Sequence, residues 1–319
     1  MPASPTPIIT AYYDAGTPLG EWQEALANLK DYARQPIRLV PAEDKEAVGA
    51  DVLLAWKPPL DLIARLVNLR GVMSLGQGVD HILSQQDFPS HLRLIRLVDP
   101  YMAAAMTEWV LLAVLKWHRD DGVYMAAASR QEWLRLPPKM AATTTIAVMG
   151  VGAIGGHVAE ALAGLGFRVL GWSRSPKHLP TITCTTGEVG FQHCLNEADC
   201  LVSLLPLTPA TKHIFNQSAF SRMKPGAYFI NGGRGDSVDE AALLAAIDSE
   251  HLAGACLDVF ATEPLPKQHP FWRNDKITIW PHVSAQTNPI TAAAQVWAGI
   301  IAIARGEAAD HEVDIGRGY

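Results

Sequence analysis

Short apolar runs alternate with longer stretches of helical period along the chain, and they fall into two series. In the first hundred residues "PIITAYY", "IRLVP", "VLLAW", "GVMSLG" and "LRLIRL" are separated by segments such as "LGEWQEALANLKDYA". That alternation predicts a small parallel α/β layer domain, flavodoxin-like in plan. From Met102 to about His118, "MAAAMTEWVLLAVLKWH" lacks turn-forming residues and reads as a long, largely buried helix leading into the second series. There "TTTIAVMG", "FRVLGWS", "DCLVSLLPL", "AYFINGG", "AGACLDVF" and "KITIWPH" alternate with helix-like gaps, the pattern of a doubly wound sheet. Beyond His282, "NPITAAAQVWAGIIAIARGE" carries Ile290, Ala294, Trp297 and Ile301 at helical spacing. This helix is expected to return to the first domain. The expected boundaries are residues 1–101 with 288–319 for one discontinuous domain, and 102–287 for the other.

Composition narrows the partners. A chain of 319 residues with 49% hydrophobic content can bury two sizeable cores. The net charge of −6, from 26 basic and 32 acidic residues without a long block of either sign, argues against a nucleic-acid partner. No apolar run approaches the ~18 residues of a membrane span, so no membrane partner is expected. Cys184, Cys194, Cys200 and Cys256 show no C-x-x-C spacing and read as reduced, mostly buried thiols, with no metal site. A soluble, cytoplasmic protein acting on a small molecule is the expectation.

Within "VMGVGAIGGHVAEALAGLGF", Gly150, Gly152 and Gly155 form G-x-G-x-x-G between an apolar strand and an alanine-rich helix that starts at Ala153 and Ile154. In that setting the first glycine permits the turn, the second leaves room for a pyrophosphate and the third lets helix and strand pack. Exposed N–H groups at the helix start suit phosphate charge. The order strand, glycine turn, helix and second strand points to a Rossmann-type dinucleotide site.

Polar residues just beyond later strands are where open α/β sheets place ligands. Arg234 in "FINGGRGDSVDE", Glu263 in "CLDVFATEPLP" and His282 in "TIWPHVSAQT" each stand there. Singly they read as readily as a surface arginine, a loop glutamate and a capping histidine. Together they match reduction of a 2-oxo acid. Arginine offers a permanent, forked cation to a carboxylate and carbonyl. Histidine can deliver the proton that an alkoxide needs, and a carboxylate on its other ring nitrogen fixes the ring and favours its protonated form.

At these motifs the chain resembles the D-2-hydroxyacid dehydrogenase family, most strongly from "IAVMGVGAIGG" through "NGGRGDSVDEAALLAAI" and "ACLDVFATEPLP" to "WPHVSAQT". The resemblance implies an NAD(P)-binding domain over 102–287 and a substrate-binding, catalytic domain in the rest. It implies that Arg234 binds and polarises substrate, Glu263 supports the histidine, and His282 is acid in reduction and base in oxidation. It further implies cofactor contacts at Gly232, at Asp258 beside the nicotinamide carboxamide, and at Leu205, Pro206 and Thr208 of "LLPLTP" beside the adenosine. Asp258 reads equally as a strand-end hydrogen-bonding residue, and "LLPLTP" equally as sheet edge. In "SLGQGVDHI" the resemblance assigns Gln77 and Gly78 to the substrate carboxylate, with a plain strand-to-helix turn as the other reading.

Trp56 in "LLAWKPP" and the ending "DIGRGY" resemble the glyoxylate and hydroxypyruvate reductase branch, Trp56 as a substrate-facing residue or as simple packing. Trp280 reads as cleft or sheet packing, and Arg317 and Tyr319 of the ending carry no derivable role. The paired glycines before Arg234 depart from the family's usual side chain there and read as a more permissive loop. A homodimer built on the nucleotide-binding domain, including residues 107–118, is also implied.

About twenty residues after the glycine turn, where an acidic residue binds the ribose of NAD, this chain has "WSRSPKH". Ser173, Arg174 and Lys177 favour a 2′-phosphate instead, so NADP is the expected cofactor, with NAD possible; a solvated basic turn is the alternative. The expected activity is an NAD(P)-dependent reductase of a small 2-oxo acid, glyoxylate or hydroxypyruvate first. A bulkier acid, such as an aryl pyruvate or keto-sugar acid, and a cofactor-sensing corepressor-like binding protein are the alternatives.

Overall fold

The computed structural model describes residues 5–59, 61–83 and 88–316, so Arg317 and Tyr319 lie outside the described residues. The chain divides into two compact units, Met1–Tyr101 with Thr287–Tyr319, and Met102–Gln286. Each unit is a parallel sheet covered on both faces.

The first unit opens with β1 (Ile8–Tyr13), α1 (Leu19–Ala27), β2 (Ile37–Pro41) and β3 (Val52–Ala55). It continues with α2 (Leu62–Arg65), β4 (Gly71–Ser74), α3 (Asp80–Leu83) and β5 (Arg93–Ile95). The sheet order β2-β1-β3-β4-β5 is the flavodoxin-like arrangement. Parallel strands covered on both faces need unbroken apolar runs, and every residue of "VLLA" in β3 and "GVMS" in β4 is buried.

The second unit takes in most of α4 (Pro100–His118), then α5 (Asp121–Ser129), β6 (Thr145–Met149), α6 (Ala153–Gly164), β7 (Arg168–Trp172) and β8 (Thr183–Thr185). After these come α7 (Gly187–Glu197), β9 (Cys200–Ser203), α8 (Gln217–Arg222), β10 (Ala227–Asn231), α9 (Glu240–Asp248), β11 (Leu252–Leu257) and β12 (Ile277–Ile279). The order β12-β11-β10-β9-β6-β7-β8 reverses direction between β6 and β9, and this switch point is where such sheets bind ligands. One face packs α4 and α6 through Val110, Val114, Val158 and Leu162 onto Ile146, Val148 and Val202. The other packs Phe191, Phe220 and Leu243 of α7, α8 and α9 onto Ala147, Leu201 and Phe229. The strand β8 was not foreseen. Its three residues "TCT" are edge residues without a full period of alternation, and they become a strand only by pairing with Leu170–Trp172.

The chain returns to the first sheet with α10 (Pro289–Arg305), capped by the Asn288 side chain and closed by Gly306 in the left-handed region (φ 69°). Of the four residues noted at helical spacing, Ile301 is buried and Trp297 half-buried. Ile290 is 81% exposed and Ala294 is exposed, while Ala292, Ala293, Val296, Gly299, Ile300 and Ile303 face inward. Close approach to the sheet decides the phase: a Cβ on Gly299 would lie 2.8 Å from the Met73 sulfur. Small residues therefore sit inside beside Val296, Ile300 and Ile303. Likewise α4 is only partly buried, with Leu112 and Leu115 outward. Among the described residues no helix is long and apolar enough to cross a membrane.

Candidate active site

The turn between β6 and α6 is built by its glycines. Gly150 holds φ 107°, which residues with a side chain avoid, and its N–H donates to the Trp172 carbonyl at 2.8 Å. A Cβ on Gly155 would collide with the Gly150 carbonyl, so only glycine lets α6 start this close to the strand. Gly152 differs: it is exposed and a Cβ there meets nothing within 4 Å. No side chain caps the helix it precedes. A cradle beside the uncapped starts of Ala153, Ile154 and Gly155 fits a pyrophosphate, both sterically and by the positive end of the helix.

At the end of β7, Ser173 is buried; its N–H donates to Thr185 O at 3.2 Å and its hydroxyl to Ser175 O at 2.6 Å. Ser173 thus shapes the turn, leaving Arg174 and Lys177 on its exposed side. Beyond β9, Leu205 is buried with its side chain 3.3 Å from the Cβ position of Gly150. Thr211 holds the next residues, its hydroxyl donating to Pro206 O at 2.7 Å and accepting from Thr208 N at 2.8 Å. This places Leu205 beside the glycine turn, with Pro206 and Thr208 in the ordered segment that follows.

Arg234 follows β10 in a turn shaped by Asn231, whose amide donates to Arg234 O at 3.0 Å and whose carbonyl accepts from Gly233 N at 3.1 Å. Ser237 donates to the same Arg234 carbonyl at 2.6 Å. Asn231 was not singled out as a site residue, although asparagine before paired glycines is a recognisable turn signal. The paired glycines are fitted rather than permissive. A Cβ on Gly233 would lie 2.7 Å from Leu205 O and 2.9 Å from Leu205 N, both backbone atoms. Gly232 is buried beneath Met106 and Trp109, its N–H donating to Ser203 O at 3.1 Å.

Glu263 and His282, nineteen residues apart, meet at 2.8 Å between Oε2 and Nδ1. The other oxygen of Glu263 accepts from Phe260 N at 3.1 Å, and Ala261 N donates to Glu240 at 3.0 Å, so two carboxylates hold this loop. The loop lies against the arginine turn, where Gly235 abuts the Phe260 carbonyl group. Glu240 was another residue missed; a glutamate opening a helix reads as a cap rather than a loop anchor. His282 itself has φ 57°, a left-handed conformation that costs an ordinary residue about 1–2 kcal/mol. Its Nδ1 is held by the Glu263 carboxylate, which fixes the direction of the ring. Asp258 is fully buried and bonds the 282–284 turn, the strand-end role its position suggested. Trp280 packs on the sheet, at the edge of the core beneath α4.

In the first unit, Trp56 follows β3 and lies across Gly76, whose missing Cβ makes room for the indole. The His81 ring meets it edge-on at 4.3 Å between centroids. Gln77 and Gly78 follow at half-buried positions, in the connection from β4 to α3. Among the described residues no set of three histidine, cysteine, aspartate or glutamate side chains could hold a metal.

Comparison with known proteins gives the family of the chain. Residues 111–284 match the family model described as D-isomer specific 2-hydroxyacid dehydrogenase, NAD binding domain. The chain is 40% identical over 284 residues to the glyoxylate/hydroxypyruvate reductase A of Serratia proteamaculans, covering 88% of this chain and 90% of that one. Among solved structures, it resembles a D-isomer specific 2-hydroxyacid dehydrogenase from Xanthobacter autotrophicus in complex with NADPH and MES. That likeness has a TM-score of 0.90 and 37% identity, covering 99% of this chain and 100% of that one. An NADPH-dependent glyoxylate/hydroxypyruvate reductase from Sinorhizobium meliloti, in complex with NADP and sulfate, is similar with a TM-score of 0.89. It is 34% identical and the match covers 97% and 99% of the two chains.

Proposed function

Because this chain belongs to the D-isomer-specific 2-hydroxyacid dehydrogenase family, we propose that it is an NADPH-preferring reductase of small 2-oxo acids, glyoxylate and hydroxypyruvate foremost. The observation that carries the proposal is the His282–Glu263 pair at 2.8 Å beside the arginine turn. Bound in the glycine cradle, the dinucleotide supplies the hydride that reduces the carbonyl carbon. Arg234 binds the substrate carboxylate and polarises the carbonyl. His282 gives its Nε2 proton to the oxygen as that oxygen gains negative charge, and Glu263 steadies the resulting ring through Nδ1. In the reverse direction His282 takes the proton back. For the first unit, the family resemblance assigns substrate binding to Trp56, Gln77 and Gly78.

Cofactor choice follows from the β7 turn. Arg174 and Lys177, exposed there without an acidic neighbour in "WSRSPKH", favour a 2′-phosphate over a bare ribose. Both solved relatives named above are complexes with NADPH or NADP, which supports the same choice. A homodimer of the second unit is supported by its exposed apolar residues. Leu112 and Leu115 of α4, Val123 and Met125 of α5, and Trp133, 94% exposed, would be covered by a second copy. Free cysteines, three of them buried, accord with a cytoplasmic setting.

Steady-state reduction of a panel of 2-oxo acids with NADPH and NADH tests the proposal, with His282→Ala and Arg174→Ala beside the wild type. Turnover of glyoxylate or hydroxypyruvate is expected with NADPH, a loss of ~10²–10⁴-fold in His282→Ala, and a reduced NADPH preference in Arg174→Ala. Turnover only with bulky acids would shift the substrate class. Cofactor binding without turnover of any acid would favour the corepressor-like reading.

A further inference from the structure

The His282 turn is held by a residue that the proposed mechanism does not use. Four hydrogen bonds run from three consecutive residues to Asp258. His282 N donates to its backbone carbonyl at 2.9 Å, Val283 N to Oδ1 at 2.8 Å, and Ser284 N and Ser284 Oγ to Oδ2 at 3.0 and 2.5 Å. Both Asp258 and Ser284 are buried, at 0% and 6% exposure. A buried carboxylate needs such donors to offset its lost hydration, and here three donors to it come from the turn that carries His282.

We propose that Ser284, acting with Asp258, is a positioning residue that sets the direction of the His282 imidazole for proton transfer. The inference rests on His282 being the acid. Three of the four donors are backbone N–H groups, which any residue but proline would supply. The Ser284 hydroxyl is the one that the side chain chooses. It fixes the rotation of the Asp258 carboxyl group, so that Oδ1 meets Val283 N while Oδ2 meets Ser284 N. The bonds of His282 N and Val283 N to Asp258 bracket His282 in its left-handed conformation, φ 57°. From that backbone the ring reaches Glu263 at 2.8 Å.

The same aspartate ties the turn to the arginine side of the site. Asp258 N donates to Asn231 O at 3.0 Å, and the Asn231 side chain shapes the Arg234 turn through Gly233 N and Arg234 O. Asn231, Asp258 and Ser284 thereby form one connected path between the substrate-binding cation and the proton donor.

The test is Ser284→Ala in the full chain, which removes one hydrogen bond and leaves the backbone donors. With glyoxylate and NADPH, kcat is expected to fall by about tenfold, the scale of one lost hydrogen bond to a charged group. The dissociation constant for NADPH, measured directly by fluorescence titration, should stay within about twofold, since the cradle at Gly152 is untouched. The solvent deuterium isotope effect on kcat should rise, because a misdirected imidazole slows the proton step; a merely structural serine would lower thermal stability without changing it. Wild-type kcat in Ser284→Ala, or a lower kcat with an unchanged isotope effect, overturns the inference. His282→Ala separates the two claims. If it stays active, the acid assignment fails; if it is inactive while Ser284→Ala behaves as wild type, only the positioning role fails.

Discussion

Two glycines three residues apart should respond to the same substitution in opposite ways. In Gly152→Ala the new methyl meets nothing within 4 Å, and the backbone (φ −84°, ψ −152°) is extended and open to alanine. The folded state pays nothing, and the unfolded chain loses freedom, so stability should rise by about 0.4–1 kcal/mol. For a unit the size of Met102–Gln286 that is roughly 1–4 °C in Tm. The methyl occupies the cradle, however, and holds a phosphate oxygen away from the helix N–H groups. Losing one hydrogen bond to a charged acceptor is worth ~1.5–3 kcal/mol, so NADPH should bind about 10- to 150-fold more weakly. In Gly155→Ala the methyl collides with the Gly150 carbonyl, a backbone atom that moves only by pushing α6 off β6. Overpacking of this kind costs about 1–3 kcal/mol, a drop of roughly 2–10 °C. Thermal scans of the apo proteins and fluorescence titration with NADPH measure both effects. Gly152→Ala binding NADPH as tightly as wild type would remove the cradle from the cofactor site. Equal destabilisation by both substitutions would refute the distinction between open and packed glycines.

Other consequences are equally direct. Gly233→Ala should lower kcat/KM for glyoxylate at least about tenfold, because a Cβ 2.7 Å from Leu205 O must displace the Arg234 turn; an unchanged efficiency would show the turn to be tolerant. His118 is buried, and burial, with Lys139 and Arg119 nearby, pushes its imidazole below its ordinary value while Asp120 opposes them. The unfolded chain then binds the extra proton first, so His118 should cost stability progressively as pH falls from about 6.5. Between pH 7.5 and 5.5 the wild type should accordingly lose more Tm than His118→Phe, and parallel losses would exclude the effect. If the proposed homodimer forms through Trp133, Trp133→Asp should shift sedimentation toward the monomer; sedimentation unchanged from wild type would remove Trp133 from the interface.

Much of the site was legible because its chemistry is local in sequence. G-x-G-x-x-G carries its own turn, and each of Arg234, Glu263 and His282 stands a few residues beyond an apolar run that could only be a strand. Two parallel layers were legible for the same reason, since strands covered on both faces must be continuously apolar. Less was legible where the pattern is short or ambiguous. The three-residue β8 has no period of its own, and the inward face of α10 rests on its approach to Met73.

The sequence by itself determined the element types, the strand-end placement of the charged residues and the missing acid in the β7 turn, because these depend on neighbours along the chain. The tertiary structure decided what depends on neighbours in space. It brought Glu263 to His282, made Gly233 a requirement of the Leu205 backbone, and turned Asp258 inward to hold the histidine turn. A hydrogen bond needs its partner within about 3 Å, and distance along the chain carries no information at that scale.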